Sequence, residues 1–207
     1  MEQAPNWRRL RHPSSTGSSL WKTWIRPILR AACSPSTAAF WKAVTLDRSD
    51  FLQSLLTLLA ERGIRYCVIG GQGVNAYAEP LVSLDLDLVI AVDQMDEAAR
   101  LFESRFTVER FPHSLNIAAA GSSLRVQVQT DARYFPFVDR AAPREVLGIE
   151  LPVASVDDVL QSKIWAASDP ARRPITRRKD LLDIERILEN YPHLRQRVPP
   201  GLLSTLS

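Results

Sequence analysis

The run Val68-Ile69-Gly70-Gly71 and, after a short connector, Ser83-Leu84-Asp85-Leu86-Asp87-Leu88-Val89-Ile90 constrain this chain more than any other segment. An apolar strand that stops at a glycine pair is followed by a second apolar strand with carboxylates at alternate positions. Side chains at i and i+2 of a strand leave the same face, so Asp85 and Asp87 stand together about 7 Å apart. Two anions on an otherwise apolar strand repel each other and lose hydration, and a hard divalent cation such as Mg²⁺ compensates them. The glycine pair offers backbone N–H groups at a helix start, a site for phosphate. Divalent metal beside bound phosphate is the chemistry of nucleotidyl transfer. The competing structural reading is a strand end turning polar into solvent after a tight glycine turn.

In this order and spacing the motifs resemble the nucleotidyltransferase superfamily with the DNA polymerase β-type palm, where a Gly-Gly turn precedes an Asp-x-Asp strand. Within it, the chain is most similar to small bacterial nucleotidyltransferase-like proteins related to the abortive-infection toxin (AbiEii-like) type. The resemblance covers roughly residues 50–200. It implies an α/β (α+β) fold, a mixed β-sheet palm flanked by helices with a C-terminal helical pair. It also implies a Mg²⁺- or Mn²⁺-dependent enzyme moving an NMP from NTP to a hydroxyl of a protein, tRNA or small molecule. On the matching positions, Asp85 and Asp87 hold the metal, while Gly70, Gly71, Gln72 and Ser83 approach the nucleotide phosphates.

Three positions depart from the family pattern. Gln72 stands where Ser or Thr usually follows the glycines, and its amide makes a longer, looser contact. Leu81 stands where an Arg often precedes the first Asp by four residues. A third carboxylate is expected on a neighbouring strand, and the matching strand is Leu124-Arg125-Val126-Gln127-Val128-Gln129-Thr130-Asp131. Its best-aligned position is Gln127, which can ligate through oxygen but brings no charge and takes no proton at neutral pH. Asp131 can replace it only if the site lies towards the end of that strand. These departures support an alternative reading, a catalytically weakened nucleotidyltransferase fold acting as a binding or regulatory module, one half of a toxin–antitoxin pair.

The closing helices carry a second group. Lys163 shares a stripe with Val159 and Ala167, and a lysine among apolar neighbours needs an anionic partner or must snorkel. A Lys followed by an Arg and then Lys-Asp on the next helix recurs in abortive-infection-type enzymes. The corresponding residues are Lys163, Arg173, Lys179 and Asp180, expected to contact nucleotide phosphate or the Asp pair. They lie in or near Arg172–Asp180, the only dense basic cluster of the expected folded part, which otherwise reads as a solvated helix start answered by Asp180 and Asp183. Ser155 and Asp158 form a capping box for the first closing helix. His12, His113 and His193 lack metal-ligand spacing, and Trp165 and Tyr191 read as packing residues.

The 207 residues suffice for one domain with an appendage. Residues 1–48 hold eight Arg or Lys against Glu2 and Asp47, a net +6, so the rest carries −3 of the formal +3. A slightly acidic body argues against a broad nucleic-acid face. Residues 1–48 also hold four of the five tryptophans. They read as a basic Ser/Pro/Trp-rich extension, poorly ordered or else an amphipathic arm. Residues 49–150 are expected to form the palm and 151–207 the helical cap. The expected elements are helices over Phe51–Leu59, Gly71–Tyr77, Met95–Arg105, Val156–Ser168 and Thr176–Asn190. Strands are expected over Tyr66–Ile69, Leu84–Val92, Phe106–Arg110, Leu115–Ala119 and Leu124–Gln129. Two cysteines, Cys33 and Cys67, imply no disulfide framework, which fits a reducing cytoplasm. No apolar run is long enough for a bilayer.

Overall fold

The computed structural model describes residues 51–146 and 149–206. The Trp-rich segment, Cys33 and the Ser49-Asp50 cap lie outside these residues. Leucine spacing sets the first element: Phe51, Leu52, Leu55, Leu56, Leu58 and Leu59 are all buried along helix α1 (Phe51–Glu61). Gly63 ends it at φ 61°, and Ile64 N–H donates back to the Leu59 carbonyl at 2.9 Å. Every residue of strand β1 (Tyr66–Ile69) is buried, including Cys67, as expected of a central strand that is apolar on both faces. Helix α2 (Gly70–Asn75) follows without a break, earlier and shorter than the spacing suggests.

Strand β2 (Asp85–Ile90) lies antiparallel to β1, pairing Ile69 with Asp87. Helix α3 (Met95–Arg105) is N-capped by Gln94 without a side-chain cap bond. Gln94 instead receives Arg65 N–H and donates to the Gly63 carbonyl, while nearby Asp93 pairs with Arg65. Strands β3 (Thr107–Phe111), β4 (Ser114–Ala118) and β5 (Arg125–Gln129) form a meander, and β5 pairs parallel with β2. A 3₁₀ segment, Ala132–Arg140, then leads to strands β6 (Ala142–Val146) and β7 (Ile149–Val153). These two strands are absent from the sequence expectation. Pro143 and Pro152 lie inside them and face one another in the hairpin, and proline weakens any strand pattern read from sequence. β7 pairs parallel with β1, completing a mixed seven-stranded sheet in the order β3-β4-β5-β2-β1-β7-β6.

Helix α4 (Val156–Ser168) begins at the expected cap, where Asp158 N–H donates to Ser155 Oγ at 3.2 Å and Ser155 Oγ donates to Asp158 Oδ2 at 2.7 Å. Helix α5 (Pro174–Asn190) starts two residues before the expected Thr176, with proline in its first turn. A 3₁₀ turn (Pro192–Arg197) and helix α6 (Pro200–Leu203) end the described chain. The fold is α/β, a mixed sheet flanked by helices with a C-terminal helical pair. Among the described residues, no helix is long and apolar enough to cross a membrane.

Candidate active site

Position 70 is constrained twice. Gly70 has φ 65°, a left-handed conformation that strains any L side chain. A Cβ there would fall 1.9 Å from Asp87 Oδ2 and 2.8 Å from Asp87 Cβ. The glycine therefore lets the turn touch the second carboxylate directly. Gly71 faces Ser83, whose Oγ would lie 3.6 Å from a Cβ at 71. Asp85 and Asp87 stand two residues apart on β2, beside Arg125 and Gln127 of β5 in direct register. Residues in register share a face, so Gln127 is beside Asp87 where the sequence argument puts it.

Asp87 is half-buried, and burial pushes its carboxyl up to about 6. Lys163 pulls it down, Asp85 pushes it further up, and Arg172 and Asp180 act more weakly in opposite senses. Asp85 is exposed and accepts from Arg125 Nε at 2.9 Å. Two carboxylates on one face, one of them reluctant to ionise, favour a cation. They fit a single hard divalent ion through Asp85 and Asp87, with oxygen from Gln127, water and phosphate able to fill other positions. Among the described residues, no cluster of three or more His, Cys, Asp or Glu side chains forms a metal cage.

Asp131 does not replace the third carboxylate. It caps the 132–140 segment, accepting from Arg133 N–H at 3.0 Å and from the Arg133 guanidinium at 2.7 and 3.0 Å. Those bonds outweigh burial and hold its carboxyl below the usual range.

Gln72 directly follows the glycine pair, in α2. Its side chain is buried, donating to the Ser83 carbonyl at 3.0 Å and accepting from Asn75 Nδ2 at 3.1 Å. The amide pins the connector to Asp85. Asn75 does the same at Leu81, accepting from its N–H at 3.0 Å and donating to its carbonyl at 2.8 Å. Arg186 then donates to Asn75 Oδ1 at 2.9 Å and to the Glu79 carbonyl. The connector to Asp85 is thus held by side chains.

Lys163 is buried between Asp183 Oδ2 at 2.7 Å and Asp180 Oδ1 at 3.2 Å. Burial works against its charge, yet the two carboxylates outweigh it and raise its pKa, with Asp87 adding to their effect. Asp180 also accepts from Arg172 Nε at 2.9 Å, and Asp183 from Arg186 at 2.8 Å. Both Asp180 oxygens are thus buried and paired with the cations of Lys163 and Arg172. Arg173 occupies the N-cap position of α5, and both it and Lys179 are exposed. Arg172, one residue earlier, is the arginine whose charge reaches Asp87. Asn75 and Arg186 are the site-supporting residues that the sequence reading did not single out, while Arg172 and Asp183, read there as a basic cluster and its counter-charge, prove to be partners in the Lys163 network. For Arg186 the signal was a charge on the apolar face of α5, beside buried Ile184 and Ile187.

Trp165 packs as expected, stacking on Phe137 at 5.9 Å and edge-on to Tyr134 at 5.4 Å. Tyr191 likewise meets Tyr77 edge-on at 6.0 Å.

Solved structures offer distant likenesses. The antibiotic-resistance factor ANT(2'')-Ia is 13% identical with a TM-score of 0.49, over 74% of this chain and 93% of that one. The lincosamide antibiotic adenylyltransferase LnuA is 12% identical with a TM-score of 0.46, over 67% and 97%. An antigenic nucleotidyltransferase-like protein from Paracoccidioides brasiliensis is 20% identical with a TM-score of 0.44, over 68% and 77%. No curated protein matches the chain. A family model does match, over residues 81–199, more than half of the chain and spanning both carboxylates, Gln127 and the Lys163 network. The chain belongs to the family of the nucleotidyl transferase AbiEii toxin of type IV toxin–antitoxin systems.

Proposed function

We propose that the chain is a Mg²⁺- or Mn²⁺-dependent nucleotidyltransferase that moves an NMP from NTP to a hydroxyl acceptor. The observation that carries this reading is the contact of Gly70 with Asp87, beside Asp85 and opposite Gln127. Asp85 and Asp87 hold the cation, and Gly70, Gly71 and Ser83 leave the triphosphate a close approach to backbone. The cation supplies charge neutralisation at the α-phosphate. The acceptor oxygen forms a bond to the α-phosphorus, the α–β anhydride bond breaks, pyrophosphate leaves and the hydroxyl proton passes to solvent. Lys163, fixed by Asp180 and Asp183, keeps a positive charge facing Asp87 and steadies the ionised site. Arg173 and Lys179, exposed at the start of α5, remain free to meet the outer phosphates.

The second reading, a nucleotide-binding module without turnover, rests on Gln127 and on the Arg125–Asp85 pair, which already offers Asp85 a cation. Calorimetry with each NTP separates these from a purely structural site. Binding that needs Mg²⁺ or Mn²⁺ and vanishes in Asp85→Ala/Asp87→Ala supports the metal site. Equal binding by the double variant removes it. Pyrophosphate release then separates transferase from module.

A further inference from the structure

The buried polar groups behind the site form one relay, and both of its ends stop at the carboxylates. At one end Lys163 of α4 lies 2.7 Å from Asp183 Oδ2, and its ammonium is the cation that acts most strongly on Asp87. Asp183 accepts from Arg186 Nη1 at 2.8 Å through its other oxygen. Arg186 Nη2 reaches out of α5 to Asn75 Oδ1 at 2.9 Å and to the Glu79 carbonyl. The Asn75 amide holds both backbone polar groups of Leu81 and donates to Gln72 Oε1 at 3.1 Å. Gln72 donates to the Ser83 carbonyl, and Ser83 Oγ accepts from Asp85 N–H at 3.3 Å.

Lys163, Asp183, Arg186, Asn75 and Gln72 are all buried. The Asn75 amide uses both of its N–H groups and accepts twice at its oxygen, so it has no capacity left. Stability alone does not call for such a group, because well-packed apolar side chains of similar volume hold two helices together as well. A satisfied polar network adds rigidity and direction. What it directs here is the connector. Asp85 is exposed at the first position of β2, so the connector before it, more than packing around it, sets where its carboxylate stands. Ser83 lies against Gly71, its Oγ 3.6 Å from the place of a Cβ there.

We propose that Arg186 is a positioning residue for nucleotidyl transfer: by tying the Lys163 group to the connector, it keeps Asp85 and Ser83 at the distance from Asp87 and Gly71 that a metal-bound triphosphate requires. Arg186 is buried and acts through Asn75 and Gln72, without touching the nucleotide. Its two terminal nitrogens meet a carboxylate, an amide oxygen and a backbone carbonyl together. A planar fork spans such a set, whereas a lysine ammonium is a point charge that can answer Asp183 alone. Partners standing behind metal ligands change metal affinity about 10- to 100-fold when they are removed. This inference rests on the proposed transferase reading.

Two measurements on the full chain test it. Hydrogen exchange read by mass spectrometry in EDTA reports on the connector without any ligand. In Arg186→Lys the amides of residues 79–86 should exchange about tenfold faster than in wild type, with those of β5 unchanged. Calorimetry with Mg²⁺ and each NTP, at a temperature where every variant is folded, should show binding weakened about tenfold in Arg186→Lys. Asn75→Ala should weaken it to a similar extent, and the double variant should be little worse than either, because both cut the same relay. Phe102→Leu, buried in α3 outside the relay, loosens the fold by another route and should bind as wild type does. Asn75→Ala gives both readouts from the other end of the relay if Arg186→Lys does not fold. Wild-type exchange at 79–86, wild-type affinity, losses that multiply in the double variant, or an equal loss in Phe102→Leu overturns the positioning role. Wild type that binds no NTP with Mg²⁺ is the separate failure of the nucleotide reading, and takes this inference with it.

Discussion

Replacing Asp87 by asparagine should make the metal-free protein more stable, and only above a defined pH. Burial, aided by Asp85, lifts the Asp87 carboxyl to about 6 despite Lys163. In the unfolded chain the same group titrates near 3.9. A folded-state value above the unfolded one means that the native state binds the proton more tightly. The associated stability is complete below about pH 4 and is lost as pH rises through about 6. Two units at about 1.4 kcal/mol each give about 3 kcal/mol, which partial exposure of the side chain reduces towards 2 kcal/mol. Urea unfolding followed by circular dichroism, in EDTA from pH 4 to 8, measures it. Asp87→Asn should match the wild type at pH 4 and exceed it by about 2–3 kcal/mol at pH 8. Adding Mg²⁺ should raise wild-type stability and leave the variant unchanged. An equal gain at pH 4 and pH 8, or no gain at pH 8, would refute the claim that this carboxylate is held ionised against its surroundings.

Two glycines with the same backbone hand separate strain from function. Gly63→Ala meets no atom within 4 Å and should cost only the left-handed strain of about 1–2 kcal/mol, with Mg²⁺-dependent nucleotide binding intact. Gly70→Ala adds the collision with Asp87, so calorimetry should find that binding lost in a protein that still folds. Wild-type binding by Gly70→Ala would remove the contact from the account. Lys163→Met strips a buried ammonium from Asp180 and Asp183 and should cost about 3 kcal/mol, the low end for a broken buried pair because Arg172 and Arg186 remain. A loss below about 1 kcal/mol in denaturant titration would show Lys163 to be a solvated side chain.

The parts of this fold that were legible in the sequence are those written in local periodicity. Alternation along 84–90 and 124–129 pointed to both strands and to the shared face of Asp85 and Asp87, whereas Gln127 was matched to them only through the family resemblance and its place beside Asp87 came from the strand register. The leucine stripe of α1 and the Ser155 cap of α4 were equally plain. The hairpin of β6 and β7 was hidden because its prolines mimic loop chemistry, and β7 gains its place only by parallel pairing with β1, far away in sequence. The network around the site was hidden for a similar reason. Arg186 meets Asn75 across 111 positions, and nothing near either residue announces the other. The bonds of the Gln72 amide were not legible because a motif position indicates where a residue lies on the chain, not where its amide turns. The side chain found two partners inside the fold, and a buried amide with partners outcompetes one reaching for a ligand.

Transfer of a nucleotide by the Asp85–Asp87 site can be followed directly with labelled NTP. Wild type and Asp87→Asn, the latter expected to be folded and stable, are incubated with Mg²⁺, total cell extract and each NTP labelled at the α- or γ-phosphate. Wild type should place α-label, and no γ-label, on an acceptor with release of pyrophosphate, and Asp87→Asn should place none. Absence of α-label from every fraction, or equal labelling by Asp87→Asn, would contradict it.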